Sequence, residues 1–192
     1  MSLILLAGGK NTRINTDKAF LELNGKTIIE NTINSLKNIF EEIIIVANNV
    51  EDYKFLGYKV IPDLVKDKGP LGGIYTGLKA SKDDCNFILG CDMPFVNADL
   101  VKYMLGFDEF DTVIPKINDN VEPLHALYSK NILPIIENQI KNNKLKIREM
   151  IEKIEKIKYI EREEIEKFDK KNICFFNINN EDDLEKAREL LK

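Results

Sequence analysis

The sequence predicts an α/β fold, a doubly wound, Rossmann-like three-layer sandwich around a mostly parallel sheet, with all 192 residues in one domain. Two observations predict it. Short runs of branched apolar residues alternate with stretches of helical apolar spacing from the first residue onward. The runs are apolar at consecutive positions, as strands covered on both faces must be, and the residues able to do chemistry follow their ends.

Leu3-Ile4-Leu5-Leu6 reads as the first buried strand and empties into a glycine turn. Ile28, Ile29, Thr32, Ile33 and Leu36 recur at helical spacing and make one apolar face. Ile43-Ile44-Ile45-Val46 is a second strand, Tyr58 to Ile61 a third halted by Pro62, and Phe87-Ile88-Leu89 a fourth. Leu71 to Ala80 and Ala98 to Leu105 suit helices, and Thr112-Val113-Ile114 and Leu124 to Tyr128 further strands. Beyond residue 130 the pattern turns helical. Ile132, Ile135, Ile136 and Ile140 share one face, and Leu145, Ile147, Met150, Ile151 and Ile154 another. The Glu/Lys-rich stretch Glu149 to Lys171 reads as the solvated face of a helix rather than an interaction tail. Cys174-Phe175-Phe176 reads as a last strand, and Asn180 caps a terminal helix with an acidic first turn.

Composition narrows the function classes. With 28 Lys+Arg against 32 Asp+Glu the formal net charge is −4, which argues against coating a nucleic acid. The three cysteines, Cys85, Cys91 and Cys174, and the single histidine, His125, form no zinc-ligand spacing, and free thiols suit a reducing, cytoplasmic setting. Met1 to Leu6 lacks a basic n-region and a cleavage site, so no secretory signal is expected there. No apolar run approaches the roughly 20 residues that span a bilayer, so no membrane partner is expected either.

The first strand opens into Leu6-Ala7-Gly8-Gly9, with Arg13, Asp17 and Lys18 close behind. Adjacent glycines let backbone N–H groups approach phosphate oxygens, while Arg13 supplies a forked cation and Lys18 a point charge. The segment matches neither the Walker loop nor the dinucleotide fingerprint. After the fourth strand come Gly90-Cys91-Asp92-Met93-Pro94, where Asp92 is placed to bind Mg²⁺ beside phosphates or to cap a turn. Asp63 faces the same crevice or serves a plain turn. Gly69-Pro70-Leu71-Gly72-Gly73 either admits a flat base or makes a sharp bend. His125, inside an apolar strand, reads as a hydrogen-bonded structural residue, with Glu122 and Pro123 as a pocket wall. Asn177 and Asn179 alternate on a strand end and so share a side, able to meet a second substrate or to turn the chain.

Taken together, these segments resemble the molybdenum cofactor guanylyltransferase (MobA) family, of the nucleotide-diphospho-sugar transferase type. The resemblance covers nearly the whole chain: Leu6-Ala7-Gly8-Gly9-Lys10-Asn11-Thr12-Arg13 with Asp17-Lys18, then Leu23-Asn24-Gly25-Lys26, Gly69-Pro70-Leu71-Gly72-Gly73, Cys91-Asp92-Met93-Pro94, Pro123 to Tyr128, and Asn177-Ile178-Asn179. It implies that backbone at Leu6, Ala7 and Gly8 contacts the nucleotide, Arg13 and Lys18 meet the triphosphate, Asp63 lies in the nucleotide site, Asp92 binds Mg²⁺, and Asn177 and Asn179 hold a pterin substrate. Two positions depart from the pattern: Asn15 where the family has glycine, and Val46 where some members have asparagine, with Asn48 a nearby substitute.

The reaction so implied is transfer of GMP from GTP to the terminal phosphate of molybdopterin, as its molybdenum complex, with release of pyrophosphate. Asp17 before Lys18 favours GTP, since CTP-using relatives tend to place proline there, and carbonyls in the 69–73 turn would accept from guanine. Rival readings are a cytidylyltransferase, a sugar-phosphate nucleotidyltransferase and a non-catalytic nucleotide-binding module. Whether a protein partner delivers the pterin is open at this level.

Overall fold

The computed structural model describes residues 1–7 and 17–191. In chain order, β1 (Ser2–Leu6) is followed by a 3-10 turn at Lys18–Phe20, a hairpin of β2 (Glu22–Leu23) and β3 (Lys26–Thr27), and α1 (Ile28–Leu36). Then come β4 (Glu42–Val46), α2 (Val50–Tyr53), β5 (Lys59–Ile61), α3 (Gly69–Ala80), β6 (Cys85–Gly90) and α4 (Ala98–Leu105). The remainder is β7 (Thr112–Ile117), β8 (Asn120–Val121), β9 (His125–Ser129), α5 (Leu133–Lys141), α6 (Ile147–Ile151), β10 (Ile157–Glu161), α7 (Arg162–Ile165) and α8 (Glu181–Leu190).

The main sheet runs β10-β7-β9-β6-β1-β4-β5, with β8 paired to β7. It is mostly parallel, as expected; β9 alone on the main path runs antiparallel to both its neighbours, β6 and β7. Side chains alternate across it. Leu3, Leu5, Ile43, Ile45, Phe87 and Leu89 pack on one face with Ile29, Ile33 and Leu36 of α1 and Leu100, Val101 and Met104 of α4. Ile4, Ile44, Val46 and Ile88 pack on the other with Leu71, Ile74 and Leu78 of α3, Ile136 of α5 and Met150 of α6. Two apolar faces on one strand explain why Leu3 to Leu6 of β1, Ile43 to Val46 of β4 and Phe87 to Leu89 of β6 are apolar at consecutive positions.

Local chemistry sets several boundaries. Thr27 and Glu30 form a reciprocal capping box that starts α1. Asn24 and Gly25, at φ of 57° and 76°, take the left-handed positions a tight two-residue hairpin demands between β2 and β3. Gly77 fixes how closely α3 lies on the sheet, since a Cβ there would sit 2.4 Å from Ile4 Cγ2. One helix turn earlier, a Cβ at Gly73 would meet Leu6 Cδ2 at 3.2 Å. The helix therefore lies against β1 and aims its N-terminus over the end of that strand.

The expected elements depart from the structure mainly after residue 130. The stretch Glu149 to Lys171 is not one helix: α6 ends at Ile151, and Ile157–Glu161 forms β10, parallel to β7. Its Lys and Glu residues concealed a period of two, in which Ile157 and Tyr159 join one core face and Ile160 the other. Residues Cys174 to Phe176 are no strand either. Asp169 Oδ2 accepts from Cys174 N at 2.7 Å, Asn172 sits at φ 54°, and a 3-10 turn, Ile173–Phe175, follows. Leu145, Ile147, Met150, Ile151 and Ile154 do pack on one core face, but the helix inferred there covers only Ile147–Ile151.

Candidate active site

The carboxyl ends of β1, β4 and β6 meet where the chain leaves β1 toward β4 on one side and later returns to β6 on the other, the place where open α/β sheets bind ligands. A cavity of about 690 Å³ opens there, large enough for a nucleotide. Leu6, Val46 and Gly90 end the three strands at its floor. The sheet reaches around it: Ala7 N donates to Val46 O at 2.9 Å and Cys91 N to Leu6 O at 3.1 Å. Of the backbone expected to contact a nucleotide at Leu6 and Ala7, the Ala7 amide and the Leu6 carbonyl are thus already hydrogen-bonded to protein.

Lys18 and Asp92 meet at one side of this cavity, as the sequence suggested. Lys18 Nζ lies 3.9 Å from Asp92 Oδ2 and donates to Asn179 Oδ1 at 2.8 Å. Burial raises the Asp92 carboxyl above the usual range, and the Lys18 charge opposes that rise in part. Asp17 caps the turn that carries Lys18: its Oδ1 accepts from Ala19 N at 3.1 Å and its Oδ2 from Tyr53 OH at 2.6 Å. Ile178 N donates to Asp92 O at 2.9 Å, which docks the Asn177–Asn179 segment on the Asp92 loop. The two asparagines do not act alike. They lie outside any strand; Asn179 reaches Lys18, whereas Asn177 Nδ2 donates back to Phe175 O at 3.1 Å.

The opposite side is built by α3 and two loop carboxylates. Gly69, at φ 57°, begins the helix, and Gly69, Pro70 and Gly73 line the cavity with Asp63 and Asp67. No side chain caps this helix start; Pro70 has no N–H and Gly72 N donates to Lys68 O at 3.3 Å, which leaves the Gly69 and Leu71 amides as donors. That corrects the expectation of carbonyl acceptors, because carbonyls of a first helical turn point along the helix toward later amides. The Leu71 side chain is buried in the core under α3, so only its backbone amide is left to serve a nucleotide. Asp63 and Asn48 form a reciprocal pair, Asn48 Nδ2 to Asp63 Oδ2 at 3.0 Å and Asp63 N to Asn48 Oδ1 at 3.2 Å. Asn48 thus lines the cavity beside Val46, which brings only an apolar side chain. Gly8, Gly9, Arg13 and Asn15 lie outside the described residues.

His125 departs from its expected role. It is fully buried, neither ring nitrogen has a hydrogen-bond partner among the described residues, and burial lowers its pKa from 6.5 to about 3. The rings of Phe87 and Phe175 hold it edge-on at centroid distances of 5.3 and 5.0 Å. The wall expected from Glu122 and Pro123 is supplied by Leu124, while Pro123 O accepts from Tyr128 OH at 2.9 Å.

Residues 3–157 match the model of the MobA-like NTP transferase domain. The chain belongs to this family. A Clostridium perfringens relative described as "Probable molybdenum cofactor guanylyltransferase" is 41% identical over 187 residues, 96% of this chain and 94% of the relative. A second of the same description, from Natranaerobius thermophilus, is 37% identical over 198 residues, covering 100% and 96%. Among solved structures, the molybdopterin-guanine dinucleotide biosynthesis protein A of Archaeoglobus fulgidus superposes with a TM-score of 0.86 at 29% identity, covering 100% of this chain and 98% of that one. The fold that the family shares is the mostly parallel sheet with helices on both faces described above.

Within this MobA-like domain the residues present suit a hard divalent cation. The described residues hold no cluster of three or more carboxylate, thiol or imidazole ligands, yet Mg²⁺ seldom uses such a cage and takes one or two carboxylates with substrate phosphates. Asp92 offers an oxygen donor with Lys18 as its nearby cation among the described residues, and burial, then the Asp92 charge, raise the Glu122 carboxyl above its ordinary value. Sequence reading passed over Tyr53 and Asp67. A tyrosine in a short helix carries no local signal, and Asp67 sits among charged loop residues with nothing to distinguish it.

Proposed function

We propose that this chain transfers GMP from GTP to the terminal phosphate of molybdopterin, as its molybdenum complex, and releases pyrophosphate. The observation that carries the reading is the convergence of Lys18 and Asp92 at the carboxyl end of the sheet in a MobA-like domain whose relatives are named probable molybdenum cofactor guanylyltransferases. A phosphate monoester oxygen of the acceptor attacks the α-phosphorus of GTP. One P–O bond forms, the bond to the β-phosphate bridging oxygen breaks, and the electron pair leaves on pyrophosphate. The nucleophile is already ionised near neutral pH, so no general base is needed and the protein's part is positioning and charge neutralisation. Lys18 offsets charge on the phosphates. Asp92 would hold Mg²⁺, which supplies Lewis-acid charge to the same oxygens when bound.

The base would enter beneath α3. Guanine presents N1–H and a 2-amino group on one edge, which match carboxylate oxygens such as those of Asp63, and its O6 accepts from N–H groups of a helix start. Cytosine has an acceptor where guanine has N1–H, and it is shorter. The earlier motive for GTP, Asp17, weakens here, because both of its oxygens serve the protein. A thermal-shift screen of triphosphates with Mg²⁺ is the first test: a ligand at 100 times its Kd stabilises by about 2.7 kcal/mol. Competition between GTP and CTP for a pterin acceptor, read by product mass, is the second. A guanylyl product is expected; a predominantly cytidylyl product would overturn the base assignment and leave the transferase reading in place.

A further inference from the structure

Lys18 opens a 3-10 turn of only three residues, and so short a turn has little stability of its own. Asp17 is what fixes it. One carboxylate oxygen holds the turn's backbone through Ala19 N, and the other accepts from Tyr53 OH at 2.6 Å, so the turn is tied to a helix 36 positions away. Tyr53 is itself immobile. It is 1% exposed, and its ring lies 4.7 Å from that of Phe20, the last residue of the same turn. Burial and the Asp17 carboxylate push its phenol well above the usual range, so the hydroxyl remains a donor across the working pH range. From this braced turn the Lys18 ammonium reaches Asn179 and Asp92.

We propose that Tyr53 is a positioning residue for Lys18: its hydroxyl, acting through the Asp17 carboxylate, sets where the Lys18 ammonium stands in the cavity. The functional part of this inference rests on the reading of Lys18 as the cation that meets the triphosphate. An ammonium is a point charge on a flexible stem, so its grip on a phosphate depends on where that stem begins. Without the Tyr53 hydroxyl, Asp17 loses a donor on its protein-facing oxygen and turns toward water. The cap on Ala19 N loosens, and Lys18 loses its fixed origin. A tyrosine that merely fills the core would contribute stability and leave Lys18 unchanged.

Tyr53→Phe keeps the ring against Phe20 and removes only the hydroxyl. Titration calorimetry of GTP and of guanosine would be run on the wild type, Tyr53→Phe, Lys18→Ala and the double variant. Tyr53→Phe is expected to weaken GTP about tenfold, the scale of one lost charge-assisted hydrogen bond, to spare guanosine, and to add nothing in the Lys18→Ala background. Additive losses, or equal losses for both ligands, overturn the proposal.

A second readout needs no nucleotide. Trace acylation followed by peptide mass spectrometry compares Lys18 with the exposed Lys144. Tyr53→Phe is expected to raise the relative rate at Lys18 several-fold, and Asp17→Asn to do the same should Tyr53→Phe fold poorly. An unchanged rate overturns the brace. A raised rate in a protein that binds no GTP upholds the brace and overturns the phosphate reading of Lys18, which separates the two failures.

Discussion

Asp92 and His125 stand close together in the sheet, one just past the end of β6 and the other opening β9, where it pairs with Leu89. Both are drawn out of bulk water, His125 completely and Asp92 for the most part, with 29% of its side chain still exposed, and burial shifts both toward the neutral form. Their surroundings differ. Asp92 has Lys18 at 3.9 Å and opens on a cavity, so its charge can be kept and completed by a ligand. His125 has two aromatic edges and, among the described residues, no partner on either nitrogen. Incomplete polar satisfaction beside a cavity is readiness to bind; in a closed core it is a cost of about 1–3 kcal/mol per group, recovered only by unfolding.

The largest effect expected from this contrast is at Asp92. Asp92→Asn keeps the size and removes the charge, so guanylyl transfer should fall about 10²-fold or more with the melting temperature little changed, as assayed by product mass and thermal melts. Turnover near that of the wild type would erase the distinction between the two sites. Next comes His125. Its folded-state pKa, about 3, lies below the ordinary 6.5, so the unfolded chain binds the extra proton first as pH falls. The stability that the neutral ring retains above pH 6.5 is lost below it, by up to about 1.4 kcal/mol per pH unit, until the pH nears 3. His125→Leu should flatten that part of the stability profile in urea titrations at pH 7, 6, 5 and 4. A profile with the wild-type slope would show that other groups set it. The smallest effect separates the asparagines: Asn179→Ala should weaken GTP binding a few-fold by releasing Lys18, roughly one hydrogen bond's worth. Asn177→Ala should leave GTP affinity unchanged, and equal effects in calorimetry would refute the division of roles.

Much of the cavity's frame was legible because each of its strands announces itself. Leu3 to Leu6, Ile43 to Val46 and Phe87 to Leu89 are apolar at consecutive positions, and Asp92 comes three residues after the last of them. The sequence also brought Lys18 and Asp92 together correctly. What it hid were partners far apart in the chain. Tyr53 and Asp17 are 36 positions apart, and Lys18 and Asn179 are 161 apart, with no shared periodicity to link them. His125 misled for a related reason: its residue type promised a hydrogen bond, and only the packing of Phe87 and Phe175 shows that rings took the place of polar partners. The region after residue 130 failed on pattern, since Lys158 and Glu161 of β10, with the lysines and glutamates that flank it, imitate a solvated helix while its apolar residues keep strand alternation.

Those same lysines and glutamates bear on how the molecule behaves when crowded. A parallel sheet ends in two rows of backbone donors and acceptors, which invite another chain to add a strand. Here one end is β5, three residues long and beginning with Lys59. The other is β10, where Lys158 and Glu161 break the apolar run and Lys158 is bound to Glu164 of α7 at 3.0 Å. A short end and a charged end both resist templated extension, so the sheet limits its own growth. The charge pattern that disguised β10 as a helix is therefore a guard against aggregation, and neutralising it would be felt in solubility before it was felt in catalysis.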